Sequence, residues 1–129
     1  MSAETLFTRI DTVLLRVRDH AAAVAWYEEQ LGLTPAFTDH AERLSVLEVG
    51  DGASLTLWEL KPDEPDPPRD GAGTFPIFAT DDAAAAHRRL AESGVRVSEV
   101  SDSPGVRFFT FWDLDGNRLE ACEITDHAA

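Results

Sequence analysis

An internal duplication is the feature that most constrains how this chain can fold. Each half reads as a strand, a helix that begins after an Asp, a Gly after the helix, and further strands. Asp19 in the first half corresponds to Asp82, which lies 63 positions later, and Leu55 corresponds to Leu119, 64 positions later. One inserted residue accounts for the difference. Because a repeated unit of this size cannot bury its hydrophobic face alone, we expect the two copies to pack as one domain.

The first copy predicts a strand, a helix and three further strands. Side chains along 10–17 alternate in character, which is typical of a strand that packs one face against a helix. Asp19 is a suitable cap for the start of a helix over 21–30, and Gly32 is a suitable residue to end it. The three strands that follow are expected over 35–38, 44–49 and 54–60, with Gly50-Asp51-Gly52 as a hairpin turn.

A stretch rich in proline, glycine and charge, residues 61–73, separates the copies and predicts an exposed linker. The second copy repeats the pattern, with Asp81 or Asp82 before its helix and Gly94 after it. Its strands and helix are expected over 75–80, 83–92, 95–100, 106–112 and 117–124. We therefore expect a single domain over residues 1–129, with module one at about 8–60 and module two at about 74–125.

The predicted fold class is α+β, with two βαβββ modules that form a curved mixed sheet around an open half-barrel cleft. Concave surfaces of this kind are where small molecules bind. The cleft should be lined by the strand faces that turn away from the helices, because side chains alternate between the two faces of a strand. That alternation selects Thr12, Leu14, Arg16, Thr56, Trp58, Phe75, Ile77, Ala79, Arg118, Glu120 and Cys122.

Charge and composition exclude several classes of partner. The 129 residues carry a formal net charge of −13, which opposes binding to nucleic acid and to anionic membrane surfaces. No apolar run is long enough to span a bilayer, and residues 1–5 lack the features of a signal peptide. The single cysteine, Cys122, has no partner for an internal disulfide. These observations predict a cytoplasmic protein.

Three segments carry a resemblance to a known family. They are Ile10-Asp11-Thr12-Val13-Leu14-Leu15-Arg16-Val17-Arg18-Asp19, then Trp26-Tyr27 followed by Leu31-Gly32-Leu33, and Asp113-Leu114-Asp115-Gly116-Asn117-Arg118-Leu119-Glu120. In this order the chain resembles the vicinal oxygen chelate superfamily, which holds glyoxalase I, extradiol dioxygenases, methylmalonyl-CoA epimerase, and fosfomycin and bleomycin resistance proteins. The resemblance implies a homodimer with clefts at or near the subunit interface, whether or not modules are exchanged between the chains.

Metal-dependent members of this superfamily hold a divalent ion with one His, Glu or Gln from each of four strands. The resemblance places those ligand positions at Thr12, Thr56, Phe75 and Glu120, and only Glu120 is an expected ligand type. A phenyl ring cannot coordinate a metal, and a neutral threonine hydroxyl is a poor ligand. We therefore expect no metal or other cofactor, which argues against the usual enzymatic mechanism of the family. A divalent metal with an unusual ligand set is the alternative.

Apolar and aromatic side chains then dominate the predicted ligand-binding face, namely Leu14, Trp58, Phe75 and Ile77. Arg16 matches a position where glyoxalase I-like members carry an arginine that recognises a substrate carboxylate. It could instead form an ion pair with Glu120 or Glu48. The four histidines, at 20, 40, 87 and 127, are expected at the surface, away from the cleft.

The leading functional prediction is metal-independent binding of a small aromatic or amphipathic molecule, as in the bleomycin resistance branch. The alternative is a lyase or isomerase of glyoxalase type, with Glu120 as a metal-free general base or with an unusual metal site. A third hypothesis is a domain that associates with another protein and whose cleft is filled by its own side chains. Neither the ligand nor the pathway follows from the sequence.

Overall fold

Two four-stranded mixed sheets, each accompanied by one helix, make up the fold. The structure, a computed structural model, describes residues 5–69 and 73–125. The chain divides into two units with a boundary after Asp66, inside the stretch predicted as a linker. No helix in these two ranges is long and apolar enough to cross a membrane.

The first unit has the element order β1, α1, β2, β3, β4. Its sheet has the strand order β1-β4-β3-β2, in which β1 and β4 are parallel and the other neighbours are antiparallel. The elements are β1 Thr12–Val17, α1 His20–Leu31, β2 Pro35–Asp39, β3 Leu44–Leu47 and β4 Ser54–Glu59.

The second unit repeats this topology. Its sheet has the order β5-β8-β7-β6, again with one parallel pair, β5 and β8. The elements are β5 Ile77–Ala79, α2 Ala83–Glu92, β6 Ser101–Ser103, β7 Val106–Trp112 and β8 Arg118–Ile124. The predicted α+β class and the two βαβββ modules are therefore confirmed.

Both helices begin at the aspartates that the sequence indicated. The Asp19 carboxylate accepts a hydrogen bond from the Ala22 amide at 3.0 Å, and Asp82 accepts one from Ala85 at 3.0 Å. These bonds satisfy amide groups that have no partner within the first turn of a helix. Helix α1 ends at Gly32, whose φ of 70° lies in the left-handed region that glycine adopts without steric cost.

A glutamate on the last strand of each unit contacts the start of that unit's helix. Glu59 accepts a hydrogen bond from the His20 amide, and Glu123 accepts one from the Ala83 amide, both at 2.9 Å. These contacts show that Glu59 and Glu123 lie on the sheet faces covered by α1 and α2. The opposite face of each sheet, which its own helix does not cover, is called the helix-free face below.

The hydrophobic cores lie between each helix and its sheet. Along β4 and β8 the residues that alternate with the helix-free positions are almost completely buried, because they share the face of Glu59 and Glu123. The largest buried side chains are Tyr27, Leu47, Leu57 and Val17 in the first unit and Phe109, Phe111 and Leu119 in the second.

Two predicted strands of the second unit differ from the structure. The strand expected over 95–100 is not formed as such: Val97 makes an isolated bridge with Phe111, and β6 begins at Ser101. Here the Ser98 hydroxyl accepts the hydrogen bond of the Thr110 amide at 2.8 Å, so a side chain replaces a backbone carbonyl of the ladder. The strand expected over 75–80 is shorter, since Pro76 has no amide hydrogen to donate.

Candidate ligand-binding faces

A row of apolar side chains crosses the helix-free face of the first sheet. The strand register places Leu14 beside Thr56, Thr56 beside Val46, and Val46 beside Phe37. Leu14 is 41% exposed and Phe37 is 57% exposed, whereas Thr56 between them is buried. Leu14 and Thr56 were predicted for this face. Val46 and Phe37 were not predicted for it. Counting alternate residues along β3 and β2, starting from the hairpin turn, would have identified them.

The neighbouring row on the same face contains Arg16 and Trp58, which are register partners. Glu64 joins them: its carboxylate accepts a hydrogen bond from the Trp58 indole at 2.7 Å and one from the Lys61 amide at 2.8 Å. Arg16 Nε lies 3.4 Å from the second carboxylate oxygen. The structure thus pairs Arg16 with Glu64, rather than with either glutamate that the sequence suggested.

The pKa of Glu64 is held below its ordinary value, chiefly by the hydrogen bond from Trp58 and then by the one from the Lys61 amide. Lys61 also places its ammonium group 3.9 Å from the centre of the Trp58 ring. Within the stretch 61–73, which the sequence predicted as an exposed connection, Glu64 and Lys61 thus contact Trp58 of β4. One side of the Trp58 ring is covered by a cation.

Two of the four positions where the resemblance places metal ligands, Thr12 and Thr56, contact each other. Their hydroxyl oxygens lie 2.8 Å apart in a hydrogen bond, and the Thr12 hydroxyl also lies within bonding distance of the Ser54 carbonyl, at 3.2 Å. Neutral hydroxyls bonded to one another do not form a site for a divalent ion. No group of three or more His, Cys, Asp or Glu side chains within residues 5–69 and 73–125 could hold a metal ion. The residues present therefore do not fit the metal that this superfamily commonly carries.

The helix-free face of the second sheet carries the other predicted residues. Ile77 is the register partner of Glu120, and Ala79 that of Cys122. Ile77 is 57% exposed, while Glu120 and Cys122 are half-buried. The Glu120 carboxylate makes no hydrogen bond or ion pair with any described residue.

Phe75 and Trp112 lie at one end of this face, and each contacts an arginine. The Arg118 guanidinium is 4.1 Å from the centre of the Phe75 ring, and that of Arg96 is 3.9 Å from the Trp112 ring. Such contacts are favourable because the face of an aromatic ring is electron-rich. A cation therefore covers one side of the Phe75 ring, as it does for Trp58. The aromatic surface against which a ligand could stack is smaller than the sequence predicted.

The turn between β7 and β8 is built around the carboxylate of Asp113. One oxygen accepts hydrogen bonds from the amides of Asp115 and Asn117, and the other accepts one from the Asn117 side-chain amide, all at 2.9 Å. Arg69 donates to the Asn117 side-chain oxygen at 2.8 Å, and Gly116 has a φ of 84°. The sequence motif that most strongly carried the resemblance thus shapes a turn in which Asp113, Asp115 and Asn117 are buried.

Two of the histidines are half-buried, which corrects the surface expectation. His20 Nε2 lies 2.7 Å from the Ser45 hydroxyl, and burial lowers the pKa of its ring. His87 Nε2 lies 2.8 Å from the Ser98 carbonyl, with its ring against Phe109. His40 is exposed, and position 127 lies outside the described residues. As predicted, neither of these two half-buried rings lies on a helix-free face.

The His20 and Ser45 pair borders a cavity of about 310 Å³ beside helix α1. The arrangement has the residue types of a nucleophilic dyad. However, Ser45 is only 1% exposed, and its hydroxyl also bonds to the Thr38 hydroxyl at 2.8 Å. An attacking serine needs access to a substrate carbon, so this pair serves the packing of the helix on the sheet.

Comparisons with known proteins bear on the family and the fold. The model of the Glyoxalase/Bleomycin resistance protein/Dioxygenase superfamily matches residues 9–121. Similar solved structures include TnmS3, an antibiotic binding protein from Streptomyces sp. CB03234, with 24% identity and a TM-score of 0.77 over 95% of this chain and 100% of that one.

A lactoylglutathione lyase from Agrobacterium tumefaciens has 22% identity and a TM-score of 0.70, over 92% of this chain and 96% of that one. A glyoxylase/bleomycin resistance protein/dioxygenase domain from Frankia sp. EAN1pec has 22% identity and a TM-score of 0.76, over 92% and 98%. A comparison with curated protein sequences gave no significant match. At these identities the three structures show a shared fold.

Proposed function

Because the chain belongs to the Glyoxalase/Bleomycin resistance protein/Dioxygenase superfamily, we propose that it binds a small aromatic or amphipathic molecule without a metal ion. The candidate binding surfaces are the helix-free faces of its two sheets, each considered by itself. The observation that carries this proposal is the hydrogen bond between the Thr12 and Thr56 hydroxyls, at 2.8 Å. It joins two side chains at positions where metal-dependent members are expected to present ligands.

The apolar row beside these hydroxyls supports the choice of ligand. Leu14 and Phe37 together expose large hydrophobic side chains on one strand face, and Trp58 lies in the next row. Removing apolar surface from water contributes roughly 25 cal/mol per Å², so a flat apolar ligand gains affinity here without any covalent or metal bond. One of the similar structures is an antibiotic binding protein, which agrees with this class of ligand.

A second candidate function rests on Glu120. Its carboxylate is half-buried and makes no hydrogen bond or ion pair with the described residues. A carboxylate in that situation can accept a proton from a bound substrate, which is what a metal-free lyase or isomerase requires. One similar structure is a lactoylglutathione lyase, and the second function is a reaction of the same general type.

The test is a thermal-shift screen of aromatic and amphipathic compounds in the presence of EDTA, followed by titration calorimetry of the hits. We expect saturable binding that survives the chelator. Leu14→Ser should weaken it about tenfold, through loss of roughly 1–2 kcal/mol of apolar contact. Leu114→Ser is the matched control, because Leu114 is equally exposed, 43% against 41%, but lies in the β7–β8 turn.

Metal analysis and one further variant distinguish the alternatives. After exposure to Ni²⁺, Zn²⁺, Mn²⁺ and Fe²⁺ and desalting, the protein should retain no stoichiometric ion. About one ion per chain, lost in Glu120→Ala, would overturn the metal-free proposal. Turnover that survives EDTA and falls in Glu120→Gln would favour the enzyme. Absence of stabilisation by any compound would favour a domain that associates with another protein.

The same proposal includes a cytoplasmic homodimer, the assembly that the family resemblance implies. Leu6, Phe7 and Ile10 precede β1 and are 84%, 73% and 71% exposed, which gives a second chain an apolar surface to contact. Light scattering coupled to size-exclusion chromatography measures the assembly directly.

A further inference from the structure

Cations and aromatic rings alternate along one row of the second sheet. Trp112 and Arg118 are register partners on β7 and β8. Beside Trp112, the Trp112 amide donates a hydrogen bond to the Arg96 carbonyl. Beside Arg118, Phe75 continues the row, because Ile77 is the register partner of Glu120 and each of these lies two residues further along the chain. Arg96 lies over Trp112 at 3.9 Å and Arg118 over Phe75 at 4.1 Å. The row therefore reads Arg, Trp, Arg, Phe across the helix-free face.

Neither arginine of this row has a carboxylate partner among the described residues, although the chain has 24 acidic and 11 basic residues. The other two arginines that lie on strands, Arg16 and Arg107, each pair with a nearby Glu or Asp. An excess of acids makes an unpaired guanidinium on the surface of a sheet unexpected.

Arg118 is the more informative of the two. The Arg118 residue is half-buried as a whole, and its Nε atom is buried without a hydrogen-bond partner. A buried donor without an acceptor is unfavourable, and the contact with Phe75 does not replace the missing hydrogen bond. Stacking on a ring fixes the plane of the guanidinium and leaves its edge, which carries the N–H groups, directed away from the ring.

From this row we propose that the ligand of the second sheet's helix-free face carries an anionic group, such as a carboxylate, that the guanidinium of Arg118 binds. The inference rests on the proposed function, since it specifies the chemistry of a ligand bound at one of the helix-free faces. The planar fork of arginine matches the two oxygens of a carboxylate, and such bonds are the stronger class of hydrogen bond. Arg96 adds a second positive charge at the exposed end of the row.

Glu120 limits where the negative charge can lie. It is two residues from Arg118 on β8, on the same face, roughly 6–7 Å along the strand. Its carboxylate would repel an anion placed over it. We therefore expect an aromatic or apolar body over Ile77, which is 57% exposed, with the acidic group at the Arg118 end.

The experiment compares 2-naphthoate with 2-naphthamide, two probes of nearly equal shape that differ in charge. Binding is measured by calorimetry, and the Nε–H resonance of Arg118 is followed by NMR. The acid should bind at least about tenfold more tightly than the amide, as one charge-assisted hydrogen bond allows. Arg118→Gln should remove that preference and leave the affinity for the amide unchanged.

Three further variants keep the test independent of folding. Arg88→Gln removes the same charge from the exposed surface of helix α2, on the opposite side of the sheet, and should retain the preference. Arg96→Gln changes an exposed side chain and should lower the preference about threefold. If Arg118→Gln does not fold, Arg118→Lys keeps the charge without the planar fork and should lower the preference as well.

Equal affinity for the two probes in the unmodified protein would overturn the inference and leave the proposed function standing. A preference that Arg118→Gln leaves intact would also overturn it, since the anion would then lie elsewhere. Binding of neither probe at millimolar concentration would count against the proposed function itself, and the inference would fall with it.

Discussion

Replacing Asp113 tests whether the motif Asp113-Leu114-Asp115-Gly116-Asn117 stabilises the fold or serves the ligand. Its carboxylate accepts three hydrogen bonds at 2.9 Å, and the residue is 6% exposed. Asp113→Ala leaves three donors in a buried turn without that acceptor. A hydrogen bond to a charged group contributes about 1.5–3 kcal/mol, and losses at one site are less than additive. We therefore expect the free energy of unfolding to fall by about 3–5 kcal/mol.

Urea denaturation followed by circular dichroism measures the effect. With a denaturant slope of about 2 kcal/mol per M, the midpoint should fall by about 1.5–2.5 M. Asp113→Asn should cost less, because its side-chain oxygen can still accept the two backbone amides. It loses the bond from Asn117 Nδ2, which then faces another donor.

Asp51→Ala is the control for this prediction. Asp51 lies in the corresponding hairpin of the first unit, but it is exposed, and its removal should change stability by less than about 0.5 kcal/mol. An Asp113→Ala protein with an unchanged midpoint would refute the reasoning. So would a variant that keeps its stability and loses ligand binding, because the motif would then act on the ligand directly.

Two further predictions concern pH. The pKa of Glu64 is lowered, so the contribution of its contacts to stability is present above the ordinary value of 4.5 and is lost as the pH falls through the lowered value. The Trp58 indole N–H resonance should therefore change only on acidification below pH 4.5. In Glu64→Ala the resonance should be altered already at neutral pH. A transition of this resonance near pH 6 in the unmodified protein would contradict the prediction. The pKa of His20 is also lowered, mainly by burial, so the unfolded chain binds the proton more readily and stability should decline as the pH falls below 6.5. Denaturation midpoints across that range should show a shallower decline in His20→Gln than in the unmodified protein, whereas His40→Gln, an exposed control, should leave the slope nearly unchanged.

Period-two alternation placed Leu14 and Thr56 on a common type of face, and Ile77 and Glu120 likewise, but Val46 and Phe37 were missed. The register places Leu14 beside Thr56 and Ile77 beside Glu120. Helix starts were equally predictable, because Asp19 and Asp82 are local signals whose effect does not depend on distant parts of the chain.

Contacts between residues distant in sequence were not predictable. The pairing of Arg16 with Glu64 depends on how the segment after β4 folds back, and proline-rich composition indicated only that this segment forms no helix or strand. The Ser98 hydroxyl replaced a backbone acceptor, which no propensity reveals. Burial of His20 and His87 likewise depends on strands that are distant in sequence from each ring.

The two glutamates that contact the helix starts, Glu59 and Glu123, have a consequence for how the chain can change. These contacts recur at equivalent positions in both copies, whereas Thr56 and Glu120, on the opposite faces of the same strands, differ completely in chemistry. The contacts that fix each helix on its sheet thus lie on one side of the sheet, and the residues on the other side differ between the two copies. Residues of one helix-free face could accordingly be introduced at the equivalent positions of the other copy, to give a protein whose two helix-free faces carry the same side chains.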